Sequence, residues 1–549
     1  MKNTAKNNQT DKASTSSTTP AEKVAHTQNT SPTTPLRLAK PKHKGILPII
    51  FSRVLIIGIL LVLQVFLFFG AYAWLKQYVP YFAGLSALLT IVVIFYLFNN
   101  QMDSTAKLTW FVIISIAPVP GTLFLLYTQI NFGHIAETKR VRSLLQQTKD
   151  NLKQDPEVLE ELENDTSGTK EMMHYANRSG NFPLYKNTEV TYFPQGEDKF
   201  SAMLVELEKA KKFIFMEYFI IEEGYMWGSI LEILARKAKE GVDVRVMYDG
   251  LCEITTLPAN YPKLLGKLGI KTRLFSPLTP FLSTHYNYRD HRKILVIDGQ
   301  VAFNGGVNLA DEYINHITRF GHWKDTAVML KGSAVQSFTQ MFLHMWNIEE
   351  KTPDFSPALI TPTPIPSPGY VMPFGECPLD HEKVAESIYI DILYKAHRYV
   401  HIMTPYLILD GELETALKYA SERGIDIRLI LPGIPDKKTA YSLAKSHYKS
   451  LVSSGVKIYE YTPGFVHAKV VVSDDLRAVV GTINFDYRSL YHHFECATYL
   501  HGTPCISSIE SDFQSTLTRC RQVTPATIKK EKLSYKIKGS ILKLFAPLF

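Results

Sequence analysis

An eighteen-residue pattern that occurs twice constrains this chain of 549 residues more than any other feature of its sequence. The copies span residues 291–308 and 467–484, and both have the form His-x-Lys-x4-Asp-x6-Gly-x-x-Asn. Flanking blocks match as well, pairing 241–250 with 424–433 and 325–332 with 495–502. A repeat of this length indicates two copies of one structural unit. We therefore expect two similar halves that carry the same chemical groups.

The segments around the repeat predict an α/β fold. Short β-rich apolar runs alternate with amphipathic helices, as in a predicted strand at Phe213–Ile221, a helix at Met226–Lys239 and a strand at Val242–Tyr248. This alternation is typical of a sheet whose strands are buried on both faces. Six prolines between Pro353 and Pro368 interrupt the pattern and predict a linker between the two halves.

The spacing inside the motif places its histidine and lysine on one face of a strand. Residues i and i+2 of a strand point to the same side, so His291 shares a face with Lys293, and His467 shares one with Lys469. A turn and a returning strand follow in each copy and bring the motif asparagine back beside the histidine. If two such halves pack about a pseudo-twofold axis, each directs its histidine, lysine and asparagine into one shared pocket, which then contains six polar groups.

That set of groups suits a phosphodiester. The two lysines, with Asn308 and Asn484, would donate hydrogen bonds to the non-bridging oxygens. One imidazole would attack phosphorus, while the other protonates the leaving alcohol and later deprotonates the incoming one. No Asp and Glu cluster at metal spacing accompanies the motif, and we expect no catalytic metal. Four further histidines flank the motifs, and we expect them to be hydrogen-bonded structural residues: His285, His322, His492 and His493.

Repeated acidic residues complete the candidate site. An attacking imidazole needs an acceptor for its far nitrogen, and Asp325 and Glu495 are candidates because each lies about a strand beyond the histidine of its own half. Asp298 and Asp474 belong to the repeated motif, and we count them in the catalytic set. The alternative interpretation for these two is turn formation with hydrogen bonding at the sheet edge.

The N-terminal region indicates a membrane protein. Residues 1–45 contain few large apolar side chains and predict a disordered polar tail. Val54–Trp74, Val79–Phe98 and Leu108–Tyr127 have the length and apolar character of bilayer spans, although two prolines and a glycine interrupt the third. Lysine and arginine flank the region on both sides, which favours two crossings plus a broken or re-entrant third segment, with three full crossings as the alternative. We expect a multi-pass protein of the cell membrane with its catalytic part on the cytoplasmic face.

The C-terminal end is basic and completes the predicted organisation. Residues 523–549 carry six lysines among Leu, Ile and Phe at helical spacing. An amphipathic helix on anionic lipid is the functional interpretation, and a solvated helix packed on the domain is the alternative. A net charge of +8 fits an anionic partner, and five cysteines without a C-x-x-C motif fit a reducing compartment. The expected segments are a polar tail at 1–45, a transmembrane region at 46–135, a helical linker at 136–185, the halves at 186–352 and 370–522, the Pro-rich linker at 353–369 and the basic segment at 523–549.

Several stretches resemble the bacterial cardiolipin synthases of the phospholipase D superfamily, whose mark is two copies of His-x-Lys-x4-Asp. They are Asn287–Gly299, Gly305–Tyr313, His322–Asp325, Asn484–Leu490 and, near the N-terminus, Ala117–Gly121. The resemblance implies two pseudo-symmetric α/β sheet halves that form one catalytic unit behind an N-terminal α-helical transmembrane region. It also implies that two phosphatidylglycerols condense to cardiolipin and glycerol through a phosphohistidine, without cofactor, metal or nucleic acid.

The sequence leaves some alternatives open. In the superfamily either histidine acts as the nucleophile, and we assign that role to His291 and the acid/base role to His467. A hydrolase of phospholipase D or nuclease type, another phosphatidyltransferase resembling a phosphatidylserine synthase, and an inactive scaffold that binds anionic lipid are the alternative functions. The membrane segments argue against a nuclease, and the two complete motifs argue against a scaffold.

Overall fold

The computed structural model describes residues 35–39, 83–100, 102–129, 135–277, 288–380 and 382–548, with scattered positions between 62 and 74. Most of the predicted polar tail, most of the first apolar stretch and His285 therefore lie outside the described residues.

A seven-stranded sheet forms the centre of the first half, with the order β1-β9-β7-β6-β2-β3-β4. The strands of this half are β1 Thr188–Phe193, β2 Phe213–Tyr218, β3 Asp243–Asp249, β4 Lys271–Phe275, β5 Arg289–Asp290, β6 Lys293–Ile297, β7 Val301–Gly305, β8 His322–Lys324 and β9 Ala327–Gly332. Strands β2, β3 and β4 are parallel, and the pairs β2–β6, β6–β7, β7–β9 and β1–β9 are antiparallel. The central strands β2 and β6 are buried along their whole length, as their continuous apolar sequences require.

The second half repeats this sheet. Its strands are β10 Tyr370–Glu376, β11 Tyr399–Met403, β12 Leu407–Ile408, β13 Asp426–Pro432, β14 Lys457–Tyr461, β15 Gly464–Val466, β16 Val470–Ser473, β17 Arg477–Gly481, β18 Phe485–Asp486, β19 His493–His501 and β20 Cys520–Gln522. The order β10-β19-β17-β16-β11-β13-β14 matches the first sheet strand for strand, and β20 adds an outer edge.

Most helices cover the two sheets, and the three N-terminal ones pack mainly on one another. They are α1 Ala83–Asn99, α2 Ser104–Ile116, α3 Pro118–Gln129, α4 Ile135–Gln147, α5 Pro156–Leu162, α6 Thr169–Gly180, α7 Gly196–Leu207, α8 Tyr225–Lys239, α9 Cys252–Thr255, α10 Tyr261–Gly266, α11 Val335–Trp346, α12 Val384–Lys395, α13 Gly411–Glu422, α14 Lys438–Ser453, α15 Tyr487–Tyr491, α16 Ile506–Leu517, α17 Pro525–Lys530 and α18 Leu533–Leu544. Short 3-10 turns lie at Asp311–Ile314, Ser356–Leu359 and Ala546–Leu548. One buried cluster draws side chains from both halves, including Phe215, Val296, Val470 and Val480, so the halves share a core.

Two short strand pairs join the halves at the motifs. Strand β5, just before His291, pairs with the start of β19, and β15, just before His467, pairs with β8. Both pairs are parallel and occupy equivalent places in the repeat. In each pair, the strand that leads to a histidine lies beside the strand of the opposite half that leads to an acidic residue. This pairing fixes which groups meet in the site.

The third apolar stretch folds as two helices, α2 and α3, with a break at Ala117. Trp110 and Phe124 lie on different helices, and their ring centroids are 5.3 Å apart, so the chain reverses direction at the break. Within the described part of the chain, no helix combines the length and the apolar character needed to cross a membrane.

The C-terminal segment forms helix α18, which packs against α14. Gly539 meets the backbone carbonyl of Ser442, where any side chain would clash. The opposite face carries Leu533, Ile537 and Ile541, whose side chains are 69%, 52% and 57% exposed. The segment is therefore helical and amphipathic, and its apolar stripe faces away from the domain.

Candidate active site

The two histidines are held by the backbone of the opposite half. The amide of His291 donates to the carbonyl of Phe494 at 2.9 Å, and the amide of His467 donates to the carbonyl of Lys324 at 2.7 Å. Phe494 and Lys324 directly precede the two candidate acids. The pairs β5–β19 and β8–β15 thus deliver each histidine to an acid of the other half.

The hydrogen bonds of the imidazoles follow from that arrangement. His291 Nδ1 lies 2.9 Å from both carboxylate oxygens of Glu495, and His467 Nδ1 lies 2.6 Å from Asp325 Oδ2. The structure brings both predicted acids to a histidine, but the expected pairing within a half is wrong because the short strands cross between halves. With Nδ1 bound to an acid, Nε2 is the nitrogen left for a substrate in each ring.

The two crossed dyads differ electrostatically. Burial opposes ionisation of Asp325, but the charge and hydrogen bond of His467, together with Lys469, hold its pKa below the usual value. Burial raises the pKa of Glu495 to about 8, although Lys293 opposes that shift. The carboxyl group beside His467 is therefore the better partner for an imidazolium.

Without a bound anion, the site lowers the pKa of both imidazoles. Burial lowers the pKa of His467 to about 4, with Lys469 adding to the shift and Asp325 opposing it. Burial also lowers the pKa of His291 well below its ordinary value, and the nearby Lys293 lowers it further. A neutral imidazole retains the lone pair that a nucleophile or a general base needs.

The ammonium groups of the motif lysines contact the backbone of the motif histidines. Lys293 and Lys469 each donate from Nζ to the backbone carbonyl of the histidine two residues earlier. Burial lowers the pKa of Lys293 to about 8 and that of Lys469 to about 7. An anion that enters the site would raise both values because it stabilises the protonated forms.

The asparagines lie at the cavity with equivalent contacts. Asn308 Nδ2 donates to the hydroxyl of Tyr313, and Asn484 Nδ2 donates to the hydroxyl of Ser489, five residues further on in each case. Asn308 Oδ1 accepts from the amide of Ile220, whereas Asn484 Oδ1 is buried and has no hydrogen-bond partner within the described chain. The second half thus leaves one acceptor open.

Asp298 and Asp474 do not reach this site. Asp298 accepts hydrogen bonds from the amides of residues 211–213, and Asp474 accepts from those of residues 397–399, at 2.7–2.9 Å. Both lie in the left-handed backbone region, with φ of 54° and 57°, at the turns that end β6 and β16. Their inclusion in the catalytic set is corrected: the carboxylates fasten the turn to the neighbouring strand.

A single cavity of about 540 Å³ contains both histidines and both asparagines. Its wall combines charged and apolar side chains, and the acidic ones are Glu312, Asp436 and Asp486. The basic residues are Arg289, Arg319, Lys437 and Arg488. The apolar side includes Ile408, Leu443 and Leu542, the last of which comes from helix α18. The cavity can therefore hold an anionic group against an apolar surface.

His493 also belongs to this wall, which the sequence did not indicate. Its ring centroid lies 5.4 Å from that of His291, and it is only 6% exposed. Neither ring nitrogen has a hydrogen-bond partner among the described residues, so the expected structural role is wrong for this histidine. By contrast, His322 is hydrogen-bonded to Tyr461, and His492 to the carbonyl of Pro547.

One group of side chains could hold a cation. The ligand atoms of His291, His493 and Glu495 all lie within 4.8 Å of one another. Binding there would occupy the Nδ1 of His291 that now faces Glu495. The expectation that the reaction needs no metal stays a prediction.

The fold and the site together define a phospholipase D-type α/β protein in which two halves build one centre. The family model described as cardiolipin synthase, phospholipase D-like domain matches residues 203–346 and 389–517. A cardiolipin synthase of Halalkalibacterium halodurans is 30% identical over 90% of this chain and 99% of that protein. Cardiolipin synthase 2 of Bacillus anthracis is 33% identical over 82% of this chain and 88% of that protein. The chain belongs to the cardiolipin synthase family of phospholipase D-like proteins.

Two further relatives extend the comparison. An uncharacterised protein of Streptococcus mutans serotype c is 56% identical over 83% of this chain and 99% of that protein. The crystal structure of a phosphatidylserine synthase of Haemophilus influenzae matches 69% of this chain and 97% of that one, with a TM-score of 0.52. At 15% identity, this second likeness shows the shared fold.

Proposed function

We propose that this protein is a membrane-bound cardiolipin synthase, a phosphatidyltransferase that moves a phosphatidyl group from one phosphatidylglycerol to another. The observation that carries the proposal is the pair of crossed dyads that present two imidazoles to one cavity. Family membership points to the same reaction.

The first half of the reaction forms a phosphohistidine. His291 Nε2 attacks phosphorus, the P–N bond forms, and the P–O bond to the glycerol headgroup breaks. Entry of the anionic phosphodiester raises the pKa of His467, and the protonated ring then gives its Nε2 proton to the departing glycerol oxygen. The ionised Asp325 favours His467 for this role, because a carboxylate at 2.6 Å stabilises the imidazolium.

The second half returns the phosphatidyl group to an alcohol. The terminal hydroxyl of a second phosphatidylglycerol attacks phosphorus and passes its proton to His467. The P–N bond then breaks, a new P–O bond forms, and cardiolipin leaves. Lys293, Lys469 and the motif asparagines are proposed to bind the non-bridging oxygens and stabilise their charge in both transition states.

Several features support a lipid substrate and a membrane site. The apolar cavity wall at Ile408, Leu443 and Leu542 suits the acyl part of the substrate. The exposed stripe of α18 and its lysines suit an anionic bilayer surface. We also propose the N-terminal transmembrane region, the cytoplasmic placement of the catalytic part and the domain boundaries given above.

One assay tests the proposal against its alternatives. Purified full-length protein in detergent receives phosphatidylglycerol, and cardiolipin, glycerol and phosphatidic acid are measured with and without EDTA. Cardiolipin with equimolar glycerol, unchanged by EDTA and abolished in His291→Asn and His467→Asn, is the expected result. Phosphatidic acid alone would indicate a hydrolase, and the absence of turnover would indicate a lipid-binding scaffold. Phosphatidylserine formed on addition of serine would indicate the other transferase.

A further inference from the structure

The proposed reaction needs a place for a second phosphate. Both substrates are phosphodiesters, and the acceptor keeps its own phosphate while its hydroxyl attacks. The repeated motif supplies one set of donors around one phosphorus atom. The inference below rests on the proposed function and concerns where the acceptor phosphate binds.

When the two halves are aligned, some residues that line the cavity differ between them. His493 stands two residues before Glu495, and Trp323 stands at the same place before Asp325. The partner histidines confirm the match, since His493 lies 5.4 Å from His291 and Trp323 lies 5.3 Å from His467 between ring centroids. The first half thus has an indole where the second half has an imidazole.

A second pair of equivalent residues differs in charge. Arg488 and Glu312 each stand four residues after the motif asparagine. Glu312 is bound to Arg319, whose Nη1 lies 2.5 Å away. On the other side Arg488 contributes a guanidinium to the wall, which also carries Asp486. Burial lowers the pKa of His493 well below its ordinary value, and the charge of Arg488 lowers it further.

The two ring nitrogens of His493 lack hydrogen-bond partners within the described chain, which points to a ligand. A buried imidazole with two unpartnered nitrogens is costly unless a bound group completes its hydrogen bonds. Its Nδ1 lies 3.5 Å from a carboxyl oxygen of Glu495. Arg289, which is held by Asp249 and the carbonyl of Ser276, adds a fixed cation to the same wall.

The separation of the two sites suits the product. The phosphorus atoms of cardiolipin are joined through a three-carbon bridge and lie within about 8 Å of each other. The ring centroid of His493 lies 5.4 Å from that of His291, which is the proposed site of the first phosphorus. We propose that His493 and Arg488 form a second phosphate site, which holds the phosphodiester of the acceptor phosphatidylglycerol.

The test compares two acceptors that differ in the phosphate. With phosphatidylglycerol as the only donor, radiolabelled glycerol enters the phosphatidylglycerol pool by exchange, whereas a second phosphatidylglycerol gives cardiolipin. Both products come from the same phosphohistidine. The measured quantity is the ratio of the rate of cardiolipin formation to the rate of glycerol exchange.

Arg488→Gln should lower that ratio by about tenfold to a hundredfold, the range for loss of a hydrogen bond from a charged group. Arg488→Lys should restore part of the ratio. Arg236→Gln removes an equal charge from a half-exposed surface pair with Glu208, outside the cavity, and should leave the ratio at the wild-type value. An unchanged ratio in Arg488→Gln, or an equal fall in both arginine variants, would overturn the proposal.

A measurement on wild-type protein keeps the proposal testable if Arg488 variants do not fold. sn-Glycerol 3-phosphate as acceptor should show a KM about tenfold or more below that of glycerol, because only the former carries a phosphate. Equal KM values would overturn the second site. If wild-type protein forms neither cardiolipin nor exchanged phosphatidylglycerol, the proposed function itself fails, which is a different result.

Discussion

Replacing Asp325 by asparagine tests whether each histidine depends on the acid of the opposite half. The carboxylate is fully buried and lies 2.6 Å from His467 Nδ1, and an amide of the same shape removes its charge and can present N–H groups to that nitrogen. In a Ser-His-Asp site this exchange costs about 10⁴-fold in kcat, so we expect a loss of about 10²–10⁴-fold, or about 3–5.5 kcal/mol. Glu495→Gln should impair His291 by a smaller factor, because the pKa of Glu495 is already raised to about 8 and the amide mainly puts an N–H donor where Nδ1 has an oxygen acceptor.

An activated donor separates the two dyads. Phosphatidyl-p-nitrophenol has a leaving group that needs no protonation, so forming the phosphohistidine requires only the nucleophile. A variant of the acid/base histidine should release one equivalent of p-nitrophenol in a burst and then stop, and a variant of the nucleophile should show no burst. His291→Asn and His467→Asn establish which histidine gives which behaviour.

The crossed arrangement then makes a prediction that does not depend on that assignment. Asp325→Asn should behave like His467→Asn, and Glu495→Gln should behave like His291→Asn. If Asp325→Asn instead behaves like His291→Asn, each acid serves its own half and the crossed dyads are refuted. Circular dichroism and thermal unfolding of each variant control for loss of the fold.

Three further predictions concern the lysines, the turns and the C-terminal helix. Because the pKa of Lys469 is about 7 and that of Lys293 about 8, kcat/KM should fall as pH rises through this range. The fall in kcat should begin at higher pH, since bound phosphate raises the pKa of both lysines. A pH–rate profile in which kcat and kcat/KM fall at the same pH would contradict this. Asp298→Asn and Asp474→Asn should each lower the free energy of unfolding by about 1–3 kcal/mol while kcat per folded molecule stays near wild type, as denaturant titration and the cardiolipin assay can show; a selective loss of kcat would restore them to the catalytic set. Ile541→Asp should lower activity on phosphatidylglycerol vesicles by about tenfold but not activity in detergent micelles, because the exposed stripe of α18 would lose its affinity for the bilayer surface; equal losses in both media would refute a surface role.

Local pattern was enough to predict the strands that carry the motif. The strand expected to carry Lys293 is observed as β6, Lys293–Ile297, and the expected helix at Met226–Lys239 begins one residue earlier, at Tyr225. These elements are set by periodicity and by glycine or turn residues close by in the chain. Such signals operate over a few residues and survive in a single sequence.

The pairing of the dyads could not be predicted in the same way. It depends on β5, β8 and β15, which are two or three residues long and pair with partners more than a hundred residues away. Strands of this length have no periodicity that a sequence can display. The spacing of histidine and acid within each half is equally compatible with both pairings, and only the contact between halves decides between them.

The site residue that the sequence missed had a signal of another kind. His493 is not part of the repeated pattern, and as a lone histidine it carries little information. Aligned with Trp323, however, it marks a place where one half departs from the other. In a duplicated protein the repeated positions identify the chemistry that both halves share, whereas the unmatched positions that line the common cavity are the candidates for distinguishing the acceptor molecule from the donor.

The crossed dyads also tie catalysis to the assembly of the two halves. Neither half contains a complete dyad, since each supplies a histidine to one and an acid to the other. The short strands that align these groups pair only between the halves, so both imidazoles have their acidic partners only in the assembled protein. A reaction that transfers a phosphatidyl group to a lipid alcohol in the presence of bulk water benefits from this arrangement, because the activated histidine exists only inside a cavity with an apolar wall. Substitutions that loosen β5–β19 or β8–β15 should therefore raise the yield of phosphatidic acid relative to cardiolipin before they abolish turnover, a change in product ratio that the same lipid assay measures.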